Sequence, residues 1–166
     1  MKKFFAILAI ALVAFAACTP NDEPNNEPNN GGGTVGATDL DGQWHIVEWN
    51  NEKPAFDVYL SFDKGSFDIY QQVYSLYYVN YDGTYSVNGA ILSGTYSYGS
   101  KWACDYNFEV EELELEKEGK TYKAMCLILN SRESSSIKSV YEACRIPQSV
   151  IDEASETRAC EFTPFL

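Results

Sequence analysis

An alternation of apolar and polar residues runs through most of the chain after Leu40 and limits its possible folds more than any other feature. The clearest run spans residues 102–110, where mostly polar residues separate Trp102, Cys104, Tyr106, Phe108 and Val110. Successive side chains of a β-strand point to opposite faces, so a period of two places such residues on one face of a sheet. We therefore predict an all-β domain in which each strand has one buried face.

Short turns divide this alternating region into strands. The candidate two-residue turns are Lys64-Gly65, Asn88-Gly89, Glu111-Glu112 and Glu118-Gly119, and a three-residue loop is predicted at 99–101. Residues at matching distances from such a turn lie opposite one another and share a face of the sheet. These connections set apolar residues opposite each other at Phe62 and Phe67, Tyr85 and Leu92, Val110 and Leu113, Leu115 and Tyr122, and Tyr98 and Trp102. This agreement favours a meander in which each strand pairs with the next.

The predicted inner face collects the apolar residues of these strands. It consists of Val58, Leu60, Phe62, Phe67, Ile69, Tyr85, Val87, Leu92, Tyr96, Tyr98, Trp102, Tyr106, Phe108, Val110, Leu113, Leu115, Tyr122 and Ile128. A meander with one apolar face buries that face and removes its edges by closing on itself. We predict a single up-and-down antiparallel barrel of about eight to ten strands over residues 39–166. The alternative is a two-sheet sandwich, which usually has longer crossing connections.

The first residues of the chain have the pattern of an export signal. Lys2 and Lys3 precede an apolar run over residues 4–15, which is short for a bilayer span and has the length of a signal-peptide core. Small residues then precede Cys18, and this ending resembles a bacterial lipobox. The resemblance implies that residues 1–17 are a lipoprotein signal peptide and that the Cys18 thiol is lipidated.

Residues 18–38 are predicted to form a disordered tether between the lipid and the barrel. They are rich in Pro, Asn and Gly and contain almost no apolar side chain, so burial cannot offset the entropy of ordering them. The stretch Asn21-Asp22-Glu23 resembles the acidic export signals of surface lipoproteins of the Bacteroidetes. We expect a protein anchored in the outer membrane by its lipid. Display at the cell surface and an orientation towards the periplasm are the two alternatives.

Residues near the two ends of the barrel region resemble the lipocalins. Gly42 and Trp44 form a G-x-W at the first strand, and Arg145 closes the last predicted strand. In lipocalins such a Trp seals the base of the barrel and a late Arg packs over it. The chain is similar to the lipocalin-like lipoproteins of gut Bacteroidetes over residues 40–166. The resemblance implies a calycin-like, ligand-binding barrel, although only a short helix, over 149–159, is predicted to follow it.

The charge of the chain argues against some partners. A formal net charge of -12 disfavours binding to nucleic acid, which requires a basic surface. The same charge disfavours electrostatic binding to anionic membranes. The lipid on Cys18 is therefore the expected membrane contact. The single histidine, His45, is expected to be a solvated surface residue. Neither a metal site nor a cofactor is predicted. The sequence indicates a binding protein rather than an enzyme.

Four cysteines remain once Cys18 is assigned to the lipid, namely Cys104, Cys126, Cys144 and Cys160. An exported chain permits disulfides, and three connectivities are open. One candidate is Cys144 with Cys160, which would hold the last segment against the last strand. The other is Cys104 with Cys126, which both fall on the predicted inner face.

Two functions follow from a closed barrel. The first is binding of a small apolar ligand in the barrel mouth. Its predicted lining is Phe62, Phe67, Tyr85, Tyr96, Tyr98, Trp102 and Tyr106. The alternative is an interaction module or inhibitor that binds a protein or glycan through rim loops at 50–56 and 72–78, without an internal ligand. Exposed tyrosines in the second loop would favour an interface there.

Overall fold

The computed structural model describes residues 37–156 and 163–166. The predicted signal peptide at 1–17, Cys18, the tether up to residue 36 and Cys160 lie outside the described residues. In chain order the elements are α1 (Ala37–Leu40), β1 (Gly42–Trp49), β2 (Asp57–Asp63), β3 (Ser66–Gln72), β4 (Val79–Asn88), β5 (Ile91–Tyr96), β6 (Tyr106–Lys117), β7 (Lys120–Ser131), β8 (Lys138–Ala143) and α2 (Gln148–Glu156).

Every strand pairs antiparallel with the next, and β8 pairs with β1, so the sheet closes into a barrel. The predicted fold class, an all-β up-and-down meander barrel, is confirmed, with eight strands in the described residues. The sandwich alternative is wrong. Closure gives the first and last strands a partner and so removes the free edges that an open meander would expose.

One apolar cluster fills the barrel. It buries most of the predicted inner face, namely Val58, Leu60, Phe62, Phe67, Ile69, Tyr85, Leu92, Tyr96, Trp102, Tyr106 and Phe108. Val87 and Val110 pack against this cluster as partly buried residues. Burying a large apolar side chain contributes about 1.5–3 kcal/mol. The alternating pattern therefore supplies the main force that holds the barrel together.

Two of the predicted turns connect their strands as the sequence indicates. In the β2–β3 turn Lys64 and Gly65 have φ of 48° and 92°, and in the β6–β7 turn Glu118 and Gly119 have φ of 54° and 74°. Two consecutive residues with positive φ define a type I′ turn, whose twist matches that of the flanking strands. The strands they join have the predicted registers.

The β4–β5 turn is displaced by one residue from its predicted position. Gly89 has a positive φ of 62°, but Asn88 does not, so the type I′ turn that Asn-Gly favours is not formed. As a result Tyr85 lies opposite Gly94 rather than opposite the predicted Leu92. The predicted faces survive, because the register changes by an even number of residues.

The predicted turn at Glu111-Glu112 is wrong. β6 continues through both glutamates, each of which pairs with a residue of β7. The parity of the strand then places residues 113 and 115 on the outside of the barrel. Four residues that were predicted to face inward therefore face outward, namely Leu113, Leu115, Tyr122 and Ile128.

The distal half of the β6–β7 hairpin, residues 111–117 and 120–125, forms an arm outside the barrel wall. β6 pairs with β5 only at residues 106 and 107, and β7 pairs with β8 only over residues 126–130. Beyond these points the two strands of the arm pair with each other. An outer apolar cluster joins the arm to β7, β8 and β1 through Leu113, Leu115, Ala124, Cys126, Ile128, Val140 and Val47. This cluster holds the arm against the barrel.

Tyr98 does not face the interior as predicted. β5 ends at Tyr96, and the Gly99 N–H donates to the Tyr96 carbonyl at 2.8 Å, which closes a turn over residues 96–99. The predicted loop that pairs Tyr98 with Trp102 therefore does not form, and Tyr98 is 59% exposed. Its ring stacks on that of Tyr96 with centroids 5.2 Å apart. Tyr98 thus lies at the rim of the barrel.

Trp44 lies buried at the base of the barrel, as the resemblance implies, but Arg145 does not cover it. The Trp44 Nε1 donates to the Leu40 carbonyl at 3.0 Å, and both side chains are buried. Arg145 is exposed and makes no ring contact with Trp44 among the described residues. The contact of the indole at this end is the hydrogen bond to α1.

The helix α2 packs against β3 and β4. Its buried residues are Val150 and Ala154, which lie one turn apart on the same face. It overlaps the short helix predicted over 149–159. In the part of the chain that the structure describes, no helix has the length and apolarity to cross a membrane.

Candidate binding sites

Aromatic rings line part of the barrel interior. Phe67 meets Tyr96 and Trp102 with ring centroids 5.6 and 5.0 Å apart, and Trp102 meets Tyr106 at 6.1 Å. All three contacts are edge-on, which is a favoured geometry for aromatic pairs. The structure therefore brings these four predicted lining residues together.

Phe62 and Tyr85, also predicted as lining residues, lie near the base. Their ring centroids are 5.1 Å apart, and the Tyr85 hydroxyl donates to the Asp41 carboxylate at 2.7 Å. Asp41 also accepts the Lys64 N–H at 3.1 Å. Burial, together with the bond to Asp41, raises the pKa of Tyr85 to about 12. Both rings thus help to close the base.

The indole of Trp102 has no hydrogen-bond partner for its Nε1 atom among the described residues. The residue is only 5% exposed. A buried donor without an acceptor costs about 1–3 kcal/mol. The Tyr141 hydroxyl, in the same interior cluster, is also buried without a hydrogen-bond partner among the described residues, so the interior carries two polar groups that a bound molecule would satisfy.

The segment 163–166 enters the end of the barrel where β3 ends. The Gln71 amide holds it twice: Nε2 donates to the Thr163 carbonyl at 2.8 Å, and Oε1 accepts the Phe165 N–H at 2.7 Å. The Tyr96 hydroxyl donates to the Leu166 carbonyl at 2.5 Å. Leu166 is 2% exposed and belongs to the apolar cluster inside the barrel. A stretch of chain that is not a strand thus occupies this end of the interior.

Phe165 packs beside the same entry. Its ring centroid lies 4.9 Å from that of Trp49, at the end of β1, and 5.4 Å from that of Phe56, just before β2. These rings form a half-buried aromatic collar around the segment. We call Gln71, Tyr96, Trp49 and Phe56, which hold the segment, the mouth site.

Of the mouth site, the sequence predictions included Tyr96 as a lining residue and Phe56 only as the last residue of the rim loop at 50–56. Gln71 is 1% exposed and shares the inward face of β3 with Phe67 and Ile69. A glutamine at an inward position of an alternating strand is the signal that could have identified it. Burial raises the pKa of Tyr96, so its hydroxyl remains a neutral donor at physiological pH.

The β3–β4 loop presents exposed side chains at the same end of the barrel. Tyr74, Leu76 and Tyr77 are 70%, 84% and 58% exposed. Tyr70 is half-buried on the outside of β3, and the Tyr78 hydroxyl donates to the Asp57 carboxylate. Exposed aromatic residues of this kind favour interfaces, as the rim-loop hypothesis expects for Tyr74 and Tyr77.

His45 is paired rather than simply solvated, so that prediction is wrong. Its Nε2 lies 2.5 Å from Asp57 Oδ1, and its ring stacks on Tyr59 with centroids 4.4 Å apart. Burial opposes the ionisation of Asp57, but the hydrogen bonds from His45 and Tyr78 outweigh it and lower the pKa of Asp57 below its ordinary value. The pairing of β1 with β2 brings the two partners together.

A groove of about 620 Å³ lies on the outside of the barrel, between the arm, β1 and the segment 51–57. Its lining includes Val47, Phe56, Leu115 and Tyr122 as well as seven carboxylates and two lysines. Phe56 is its one residue in common with the mouth site. We call this feature the outer groove.

The predicted disulfide between Cys104 and Cys126 is not formed. Cys104 packs against the interior cluster, with its Sγ 3.2 Å from Ser131 Oγ. Cys126 lies in the outer cluster on the other side of the sheet, because β7 has the opposite parity to the one predicted. Cys144 is also a free thiol, and its predicted partner Cys160 lies outside the described residues. Burial raises the pKa of Cys126 and of Cys144 to about 11.

The fold and these sites define a small closed meander barrel with a sealed base and an occupied mouth. Among solved structures, the chain is similar to a lipocalin-like protein from Bacteroides uniformis ATCC 8492, with 22% identity and a TM-score of 0.44 over 64% of this chain and 99% of that chain. No protein-family model matches the chain, and the comparison with curated proteins gives no match.

Proposed function

We propose that the protein is a lipid-anchored protein of the cell envelope whose barrel binds a small apolar ligand at the mouth site, in place of the segment 163–166. The observation that carries the proposal is the burial of Leu166 inside the barrel, on side chains that belong to the strands. This apolar residue occupies the position of a ligand. Ligand and segment compete for one surface, so binding shifts the chain between two states.

The mouth site specifies the chemistry of its ligand. The rings of Trp49 and Phe56 offer an apolar surface, and Gln71 offers one donor and one acceptor once the segment leaves. The hydroxyl of Tyr96 supplies a further donor. A mostly apolar molecule with one carbonyl or hydroxyl end satisfies these groups. A multiply charged molecule leaves charges buried without partners and is disfavoured.

Binding of the neutral apolar probe N-phenyl-1-naphthylamine, followed by its fluorescence, tests this proposal. In Phe165→Ala/Leu166→Ala the competing side chains are gone, so we expect the probe to bind about tenfold more tightly than to the natural chain. The matched control Leu76→Ala/Tyr77→Ala removes an aliphatic and an aromatic side chain from the exposed loop and should leave the affinity unchanged. Equal affinity of all three proteins for the probe contradicts the proposal.

The anchoring part of the proposal rests on the sequence that ends at Cys18. A basic start, an apolar run and small residues before the cysteine support export followed by lipidation. The proline- and asparagine-rich stretch after it supports a tether that carries the barrel away from the membrane. We place the protein at the outer membrane on this basis.

A second candidate function, a protein- or glycan-binding module, is favoured by the exposure of Tyr74, Leu76 and Tyr77 in the β3–β4 loop. In this case the segment 163–166 stays in the barrel. A partner that co-purifies with the natural chain should be lost from Tyr74→Ala/Tyr77→Ala and retained by Phe165→Ala/Leu166→Ala. The reverse pattern would contradict this candidate.

A further inference from the structure

The outer groove has a rim dominated by negative charge. Glu114, Glu116 and Glu118 line it from the arm, and none of them forms an ion pair within the described residues. Carboxylates grouped along a cleft raise the local concentration of cations. The rim therefore favours a positively charged occupant.

Apolar side chains also line the outer groove. Val47 and Leu115 belong to the outer cluster, and Phe56 and Tyr122 add aromatic surface beside them. The hydroxyl of Tyr122 donates to the Glu142 carboxylate at 3.0 Å, which leaves the ring as an apolar wall. A bare cation would leave this surface in water. The occupant must carry apolar groups as well as positive charge.

The strand β7 borders the outer groove with an unpaired edge. Its pairing with β8 stops at Cys126, so residues 120–125 have no partner strand on that side in the described chain. Exposed strand edges accept a further strand from a partner through main-chain hydrogen bonds. An extended peptide uses this edge, whereas a small organic cation does not.

We propose that the outer groove binds an extended segment of a partner protein in which lysine or arginine alternates with apolar residues. The segment pairs with the free edge of β7. Its charged side chains lie on the face of the arm that carries Glu114 and Glu116, one strand away across β7, and its apolar side chains point to the other face, which carries Leu115 and Tyr122. The site stands on the outside of the barrel and does not depend on ligand binding at the mouth site.

Fluorescence anisotropy with a labelled hexapeptide of alternating lysine and valine tests the proposal at about 0.15 M salt. We expect the protein to bind this peptide and not the peptide of alternating glutamate and valine. Glu114→Gln/Glu116→Gln/Glu118→Gln should weaken binding by about tenfold or more. The matched control Asp63→Asn/Glu109→Gln/Glu133→Gln removes the same charge from exposed residues outside the groove and should change the affinity by less than about twofold.

Further probes separate strand addition from simple charge attraction. A peptide with alternate amides N-methylated cannot pair with β7 and should lose most of its affinity. Leu115→Ala should weaken binding, whereas the same truncation at an exposed leucine outside the groove, Leu76→Ala, should not. Three results would overturn the proposal. They are equal losses of affinity in the two charge variants, undiminished binding of the N-methylated peptide, and binding of spermine as tight as that of the peptide. Probe binding at the mouth site should be the same in both charge variants, so a failure here is distinct from a failure of the proposed function.

Discussion

Trp102 lies so close to Gly94 that a Cβ atom at position 94 would stand 2.1 Å from Trp102 Cε2. The Trp102 N–H also donates to the Gly94 carbonyl at 3.0 Å. Gly94 lies in the middle of β5, where a strand gains nothing from glycine itself. The glycine is needed because it admits the indole to the interior, where the ring packs on Phe67 and Tyr106.

We predict that Gly94→Ala destabilises the fold by about 1–3 kcal/mol, because the added methyl overpacks the interior against Trp102. Urea unfolding measures the change. The control Ser93→Ala, at a half-buried neighbour on the other face of β5, should have a much smaller effect. Adding Trp102→Leu to Gly94→Ala should recover part of the loss. A Gly94→Ala protein as stable as the natural chain would contradict the role of Gly94 in admitting the Trp102 indole.

The pairing of Asp57 with His45 and Tyr78 makes part of the stability depend on pH. The lowered pKa of Asp57 means that its carboxylate stabilises the fold above the unfolded-state pKa of about 3.9 and that this contribution is lost as the pH falls through the folded-state pKa. Asp57→Asn should therefore lower the unfolding free energy by a constant amount above about pH 5, and the difference from the natural chain should shrink below about pH 4. A difference that is the same at all pH values would contradict this assignment.

The thiols of Cys126 and Cys144, two of the three free thiols among the described residues, should react poorly in the folded state. Cys126 is fully buried, and burial raises the pKa of both Cys126 and Cys144 to about 11, so little thiolate is present near neutral pH. We expect iodoacetamide at about pH 8 to leave both thiols unmodified until urea unfolds the chain. Peptide mass spectrometry identifies the modified positions. Rapid labelling of Cys126 in the native protein would contradict its place in the outer cluster.

The proposed lipid anchor predicts the behaviour of Cys18→Ala. The natural chain expressed in a bacterium should partition into the detergent phase of a Triton X-114 extract, because an acyl chain adds about 0.8 kcal/mol per buried CH₂. Cys18→Ala should move to the aqueous phase, whereas the control Cys144→Ala should not. Equal partitioning of Cys18→Ala and the natural chain would rule out lipidation at this residue.

The sequence predicted the barrel well where local chemistry decides the structure. Lys64-Gly65 and Glu118-Gly119 form the turns expected of them because each pair tolerates positive φ. The alternation of apolar residues then fixes which face of β2, β3 and β5 is buried. These are properties of neighbouring residues, and a sequence displays them directly.

The errors arose where distant parts of the chain decide the structure. At Glu111-Glu112 the apolar residues of the sequence pattern change from one face of the strand to the other. A turn and a continuous strand explain this change equally well. The continuous strand is favoured only by the outer cluster, which contains Leu113 and forms once β1 and β8 are in place. The mouth site depends on Gln71 and the segment 163–166, which are far apart in the chain and share no periodic pattern. Pairing of His45 with Asp57 likewise needs two strands to meet.

Hydrogen–deuterium exchange of the segment 163–166, followed by mass spectrometry with and without saturating N-phenyl-1-naphthylamine, tests the central claim most directly. The account predicts that the Phe165 amide, which donates to Gln71, is protected in the free protein and exchanges faster when the probe is bound. A probe that binds while the segment remains equally protected would show that the ligand does not take its place.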